Sequence, residues 1–278
     1  MKVLVTGQNG FLGQELAEEL RSHYYEVTSI GRSEVDLTDF KSVKDYFKGK
    51  QFDVVVHTAF QGGKKGQVDK LDSFINNLDM FNNLVKHKEC YSKLINFCSG
   101  AAFDRNREVY EYNEEQYLEC LPNDYYGMSK NIISRECSKL ENVYNLRIFG
   151  CFGWQENETR FIKSSISKSL KGEPIVIHQD RMIDFISTKD IASVVHFYIT
   201  KQVKKQYEDV NLCYPQRMTL RKLALKIIDL TKSSSQIIIE KPGLSPSYTG
   251  SNRKLEQLGI KLNGLEQELK NLVEKMNE

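Results

Sequence analysis

The sequence predicts an α/β protein built on a doubly wound parallel sheet, with a smaller interleaved C-terminal lobe. Three observations carry this. Short β-rich runs alternate with helical patterns through the first half, a Gly-rich turn joins the first run to the first helix, and the alternation loosens after Cys151. Parallel strands need crossover connections, and the helices that supply them cover both faces of the sheet.

Residues 1–6 form an apolar run of strand length, and residues 11–20 follow with Leu12, Leu16, Ala17 and Leu20 at helical spacing. Residues 26–30 read as a second strand. Residues 35–37 are a short extended piece before a helix carrying Phe40, Val43 and Phe47. Residues 53–57, with three consecutive valines, are a buried strand; a helix carrying Phe74, Leu78, Phe81 and Val85 and a strand at 94–98 come next. Residues 126–140 are helical, with Ile132, Ile133 and Cys137 on one stripe, and 144–149 are extended. Polar and charged residues dominate 155–171. A strand at 175–178, a helix from Asp190, a run at 209–213, a helix over 219–230, a strand at 236–240 and a final helix carrying Leu265, Leu269 and Leu272 complete the chain. The expected division is a dinucleotide-binding domain over 1–153, rejoined by 184–200, and a substrate lobe made of 154–183 and 201–278.

The 278 residues suffice for a sizeable core. With 39 Lys+Arg against 37 Asp+Glu, the net charge of +2 gives no reason to expect nucleic acid or an anionic membrane as partner. No apolar run approaches the ~20 residues of a membrane helix, and the N-terminus enters a strand directly, without the features of a signal peptide. The six cysteines form no C-x-x-C pair and read as reduced thiols of a cytoplasmic protein. The five histidines lack metal-ligand spacing.

In parallel α/β sheets, ligands sit beyond the carboxyl ends of the strands. There, Thr6-Gly7-Gln8-Asn9-Gly10-Phe11-Leu12-Gly13 joins strand to helix. Gly7 suits a sharp turn, Gly10 a close approach to a pyrophosphate, and Gly13 a close helix–sheet contact; the helix N-terminus offers free N–H groups to the anion. At the end of the second strand, where an acid would hold the 2′-hydroxyl of NAD, stand Gly31 and Arg32. Arg32 suits a 2′-phosphate, so NADP(H) is the expected cofactor, although a solvated arginine has the same look. Asp36-Leu37 is placed to contact the adenine, and a loop Asp also serves as a cap.

Tyr126 and Lys130 stand four apart on one helical face. A free tyrosine, with a pKa of about 10, is a reluctant acid at neutral pH, and a nearby ammonium makes its proton easier to give. Tyr125 has Ser129 rather than a base at that spacing. Tyr-x-x-x-Lys is common by chance. Its weight here comes from the glycine turn upstream and from Ser99-Gly100 at the end of the preceding strand, where Ser99 suits the same substrate oxygen.

These features together resemble the extended short-chain dehydrogenase/reductase superfamily, a Rossmann-type group of nucleotide-sugar epimerases, dehydratases and reductases. The carriers are residues 6–13, Asp36-Leu37, 54–59, Ser99, 126–130, 146–153, Asp184-Phe185-Ile186 before Asp190, and 251–255. Within the group the chain is most similar to GDP-fucose synthases and 4-keto-sugar reductases, through residues 34–47, 57–63 with Gly62-Gly63, and 93–99. The resemblance implies that Lys130 also holds the nicotinamide ribose, that Ala59 lines the cofactor, and that Asn77 supports the active-site helix. It also implies a sugar nucleotide between the lobes, in reach of Ser99, Gly100, Tyr126, Arg160, Lys168, Arg181, Tyr248 and Arg253, and a homodimer for which helices 74–85 and 126–140 are apolar enough, although core burial explains the same stripes. The departures are specific. The cysteine and histidine that epimerise the sugar in GDP-fucose synthases are Ala101 and Arg160 here, and neither moves protons at neutral pH. The usual arginine before Asp184 is Ile183, and the usual asparagine after the sixth strand is Gly150. The expectation is therefore NADPH-dependent reduction of an NDP-4-keto-(6-deoxy)-sugar. The alternatives are a 4-epimerase with tightly held NAD and a non-catalytic dinucleotide sensor.

Overall fold

The computed structural model describes residues 1–63 and 66–278. Its elements in chain order are β1 (Lys2–Thr6), α1 (Phe11–Ser22), β2 (Glu26–Ile30), α2 (Phe40–Phe47), β3 (Phe52–His57), α3 (Leu71–Val85), β4 (Tyr91–Ser99), β5 (Val109–Tyr112), α4 (Tyr125–Cys137), β6 (Val143–Ile148) and β7 (Cys151–Phe152). The remainder comprises α5 (Phe161–Leu170), β8 (Ile175–Asp180), β9 (Ile186–Ser187), α6 (Thr188–Thr200), β10 (Asp209–Leu212), α7 (Leu220–Thr231), β11 (Ile237–Leu244), β12 (Tyr248–Gly250), α8 (Arg253–Gln257) and α9 (Leu265–Asn277).

Six strands form one parallel sheet in the order β10-β6-β4-β3-β1-β2. The chain steps outward from β1 to β2, then returns past β1 to β3, so the strand order reverses beside β1. That reversal opens a crevice at the carboxyl ends of β1 and β3. Alternate side chains serve opposite faces. Val3, Val5, Val54 and Val56 pack with Leu16 and Leu20 of α1 and Val194, Val195 and Tyr198 of α6. Leu4, Val55 and Leu94 pack with Val43 and Phe47 of α2, Phe81 and Leu84 of α3 and Ile133 of α4. Each such fully buried aliphatic contributes about 1.5–3 kcal/mol.

Two details differ from the sequence expectation. Residues 35–37 join no strand: Val35 and Leu37 are buried, but the Val35 amide turns back to the Gly31 carbonyl at 3.0 Å. The polar stretch 155–171 contains α5, whose inner face is Ile162, Ser165, Ile166 and Ser169. Short pairs flank the sheet: β8 with β11, β5 with β12, and β7 with β9. The β5–β12 pair brings residues 248–250 back against the turn after β4.

Candidate active site

The glycine turn closes β1 onto α1. Gly7 has φ +81°, and a Cβ there would lie 2.8 Å from Thr58 Oγ1 and 2.9 Å from the Ala59 amide nitrogen. A Cβ on Gly13 would lie 2.2 Å from the Gly7 carbonyl oxygen. Both positions therefore demand glycine. Gly10 meets only that same carbonyl, at 3.2 Å, and is exposed. As N-cap of α1 it supplies no side-chain acceptor, and among the described residues nothing accepts from the amides of Phe11, Leu12 and Gly13. This open, amide-lined concavity fits a dinucleotide pyrophosphate. Thr6 and Asn9 flank it. Thr6 Oγ1 sits 2.8 Å from His57 Nδ1 and accepts from the Ala59 amide at 3.4 Å, while the Asn9 amide group lies beside Gly31.

At the end of β2, Arg32 is exposed and paired with Asp36 at 3.4 Å. Asp36 Oδ1 accepts from the amide and hydroxyl of Thr38, so it acts as a turn cap. The Leu37 side chain is buried and its carbonyl accepts from Asn83.

The proton-transfer residues come from β4 and α4. Asp124 caps α4 by accepting from the Gly127 amide at 2.8 Å, which starts the helix where Tyr126 and Lys130 share its inner face. Asn131 ties α4 to the turn after β4 by donating to the carbonyls of Ala102 and Tyr117 at 2.8 and 2.7 Å. Asn77 on α3 donates to Ser129 Oγ and to the Gln61 carbonyl and accepts from the Gln61 amide. Tyr126 is buried and Tyr125 exposed, packed on Phe74.

Lys130 Nζ lies 5.8 Å from the Tyr126 ring centroid and donates to the Phe97 carbonyl at 2.8 Å. Ser99 Oγ accepts from the Ala101 amide at 3.2 Å and lies 3.5 Å from the Tyr248 hydroxyl. Burial raises the Tyr126 phenol pKa above its ordinary value, partly offset by a hydrogen bond with Ser99. Burial likewise lowers the pKa of Lys130.

Three further groups enter here, of which the resemblance implies Tyr248 and Arg181. Tyr248, on β12, reaches Ser99 because Gly100 has no side chain: a Cβ there would lie 2.9 Å from the Tyr248 ring. Burial pushes its phenol up to about 12. Arg181 lies over the Tyr248 ring at 5.6 Å, with its Nε buried and unpartnered among the described residues. Arg105, which the sequence reading missed, sits 5.8 Å from the Tyr126 ring centroid and pairs with Asp69 at 3.6 Å and Asp124 at 3.1 Å. No local spacing signals it. Phe60 and Gly63 complete the cover of Tyr126.

Other substrate candidates lie apart from this cluster. Arg160 pairs with Glu156 at 2.8 Å, donates to the Cys151 carbonyl and lies over the Phe11 ring. Lys168, in the last turn of α5, and Arg253, at the start of α8, make no side-chain contact with the hydroxyl cluster among the described residues. All six cysteines are free, and no group of His, Cys, Asp and Glu among the described residues suits a metal.

Known proteins share this architecture. The chain is 24% identical over 196 residues to a spore coat polysaccharide biosynthesis protein of Bacillus subtilis (strain 168), covering 70% of this chain and 68% of that one. It is 26% identical over 227 residues to a GDP-6-deoxy-D-talose 4-dehydrogenase of Aggregatibacter actinomycetemcomitans, covering 77% and 74%. Among solved structures, a GDP-mannoheptose C4 reductase from Campylobacter jejuni with NADP bound superposes with a TM-score of 0.85 at 19% identity, over 100% of this chain and 98% of that one. With its Rossmann-type sheet, its glycine turn and the match of residues 3–213 to the family's sequence profile, the chain belongs to the NAD dependent epimerase/dehydratase family, whose cofactor is a nicotinamide dinucleotide.

Proposed function

We propose that the chain reduces the C4 ketone of an NDP-4-keto-(6-deoxy)-sugar with NADPH, in nucleotide-sugar biosynthesis and without an epimerisation step. The observation that carries this reading is the cluster of three hydroxyls, Ser99, Tyr126 and Tyr248, in which burial raises the pKa of both phenols. Thr6, Gly7, Asn9 and Gly10–Gly13 would hold the pyrophosphate. Arg32, Asp36 and Leu37 would border the adenosine, Ala59 the middle of the cofactor, and Lys130 the nicotinamide ribose. When bound, the reduced nicotinamide supplies a hydride. Ser99 donates a hydrogen bond to the substrate carbonyl oxygen, Tyr126 gives its proton to that oxygen, and the Lys130 ammonium stabilises the phenolate left behind. Gly100, Arg181 and Tyr248 would position the sugar. Arg160, Lys168 and Arg253 would serve the diphosphate and base from the lobe formed by 154–183 and 201–278.

The test is NADPH consumption with 4-keto-6-deoxy sugars carried on GDP, dTDP, UDP or CDP. Turnover on one of them is expected; none on any would refute the reading. A 4-epimerase using NAD is favoured by one observation, a carboxylate at the end of β2, and would purify with stoichiometric bound nucleotide.

We place the protein in the cytoplasm, on its free thiols; no described helix is long and apolar enough to cross a membrane. Exposed Leu71 and Ile75 on α3, with Tyr125 on α4, suit a second copy of the chain. Light scattering should then report twice the 32.2 kDa chain mass.

A further inference from the structure

The carboxyl end of β2 holds an anion cradle that is filled by the chain itself. After Ile30, whose carbonyl accepts from the Gly7 and Gln8 amides, the backbone turns so that the amides of Glu34 and Val35 both reach the Gly31 carbonyl. This folds Glu34 back over the strand end. Its Oε2 accepts from the Gly31 amide at 2.7 Å and from Gln8 Nε2 at 2.6 Å, and its Oε1 accepts from Ser33 Oγ at 2.7 Å. Gly31 makes the convergence possible: a Cβ there would lie 2.8 Å from Asn9 Nδ2, 3.3 Å from Gln8 Cγ and 3.3 Å from Glu34 Oε2. Three donors from two segments, the strand end and the phosphate turn, thus meet one negative group beside the dinucleotide turn. The neighbouring cation faces elsewhere, because Arg32 is paired with Asp36.

A carboxylate in this place has opposite consequences for the two dinucleotides. It can accept a hydrogen bond from the 2′-hydroxyl of NAD(H). It repels the 2′-phosphate of NADP(H), which would compete for the same three donors. Glu34 is exposed, so moving it out breaks hydrogen bonds but opens no cavity.

The geometry points to Glu34 as the residue that sets cofactor choice. With its carboxylate in the cradle the site accepts NAD(H), and with the carboxylate swung out Gly31, Gln8 and Ser33, joined by Arg32, take the 2′-phosphate. The chain therefore binds both dinucleotides with a narrow preference, held narrow by Glu34. This rests on the proposed dinucleotide-dependent reduction.

The test is direct binding, by fluorescence titration of NADPH and NADH and by calorimetry with the nicotinamide-free pair 2′,5′-ADP and ADP, on wild type, E34Q and R32A at low salt. Removing the carboxylate charge should raise affinity for NADPH and 2′,5′-ADP by roughly fivefold in E34Q. Affinity for NADH and ADP should stay level or fall. R32A should weaken only the 2′-phosphorylated ligands. If wild type binds both dinucleotides and E34Q leaves their ratio unchanged, the role of Glu34 is overturned and the proposed reduction stands. If wild type binds neither, both fall.

Discussion

Asp184 makes the protein less stable as pH rises, and Asp184→Asn should remove that dependence. The side chain is buried, accepting from the Gly250 amide at 2.9 Å. Burial, only partly offset by that bond and by Arg217, raises its pKa from 3.8 to about 7. The unfolded chain loses this proton near pH 4, whereas the folded chain keeps it to about pH 7. Between those values the folded state binds more protons, so stability falls as pH rises. From pH 5 to the folded pKa is two units, at about 1.36 kcal/mol each, or about 3 kcal/mol lost by pH 8. Glu156, also raised to about 7 by burial, acts in the same direction but is common to both proteins. Urea unfolding at pH 5 and pH 8 should therefore show wild type losing about 3 kcal/mol more than D184N. Equal losses would refute the reasoning. The effect reaches the active site, because the Asp184 amide donates to the Tyr248 carbonyl at 3.2 Å and its carboxyl holds the other end of the same strand.

Three further outcomes are expected. Tyr126→Phe should lower kcat by roughly 10²- to 10⁴-fold while NADPH binding, measured by fluorescence, is unchanged. Gly13→Ala would press a methyl to 2.2 Å from the Gly7 carbonyl oxygen, so it should cost about 1–3 kcal/mol in thermal unfolding and weaken dinucleotide binding. Arg105→Met removes the cation beside Tyr126, which lowers that phenol's pKa in the wild type. The alkaline limb of the kcat profile should move to higher pH, and Arg105→Lys should bring it back.

What the sequence revealed was what is local. Valine runs, helical stripes and the glycine turn each report their own element, and Ser99, at a strand end, and the Tyr126–Lys130 pair, on one helical turn, each carry a local signal even though β5 and its flanking turns separate them. The segment α5 was hidden because serines occupy two of its core-facing positions and Lys163 buries its stem, its ammonium donating to the Trp154 and Glu156 carbonyls. Residues 35–37 have the composition of a strand, yet the hydrogen bonds of the turn take the amides a strand would need. Tyr248 and Arg105 approach the site through tertiary folding alone. Tyr248 arrives from 149 residues beyond Ser99, on a strand pair with no periodic signature. Sequence reading looks for an acid at Gly31 and passes over Glu34, three residues on, because its return onto Gly31 depends on a turn that spacing does not specify.

The protonation of the hydroxyl cluster bears on the direction of the chemistry. Epimerisation of the carbons beside a C4 ketone, unlike inversion of C4 itself by hydride transfer, needs a group that takes a proton from carbon, hence one that is ionised or readily ionised at neutral pH. Burial raises the pKa of both Tyr126 and Tyr248, and Ser99 is no base. Ala101 has no ionisable group, and the Arg160 guanidinium is paired with Glu156 over Phe11. These residues therefore offer three donors and no acceptor of a carbon-bound proton, and the nearby Asp69 and Asp124 carboxylates are paired with Arg105. Donors suit an oxygen that gains negative charge, as a ketone oxygen does during reduction. A variant that places a carboxyl on the serine turn, Ala101→Asp, would supply the missing base at a pH above the raised pKa of a carboxyl buried there. Exchange of deuterium from solvent into the carbons beside the ketone, absent in wild type and present in A101D, is the expected result. Exchange by the wild-type protein would mean that a base not among these residues acts in the site, and the argument against epimerisation would fail.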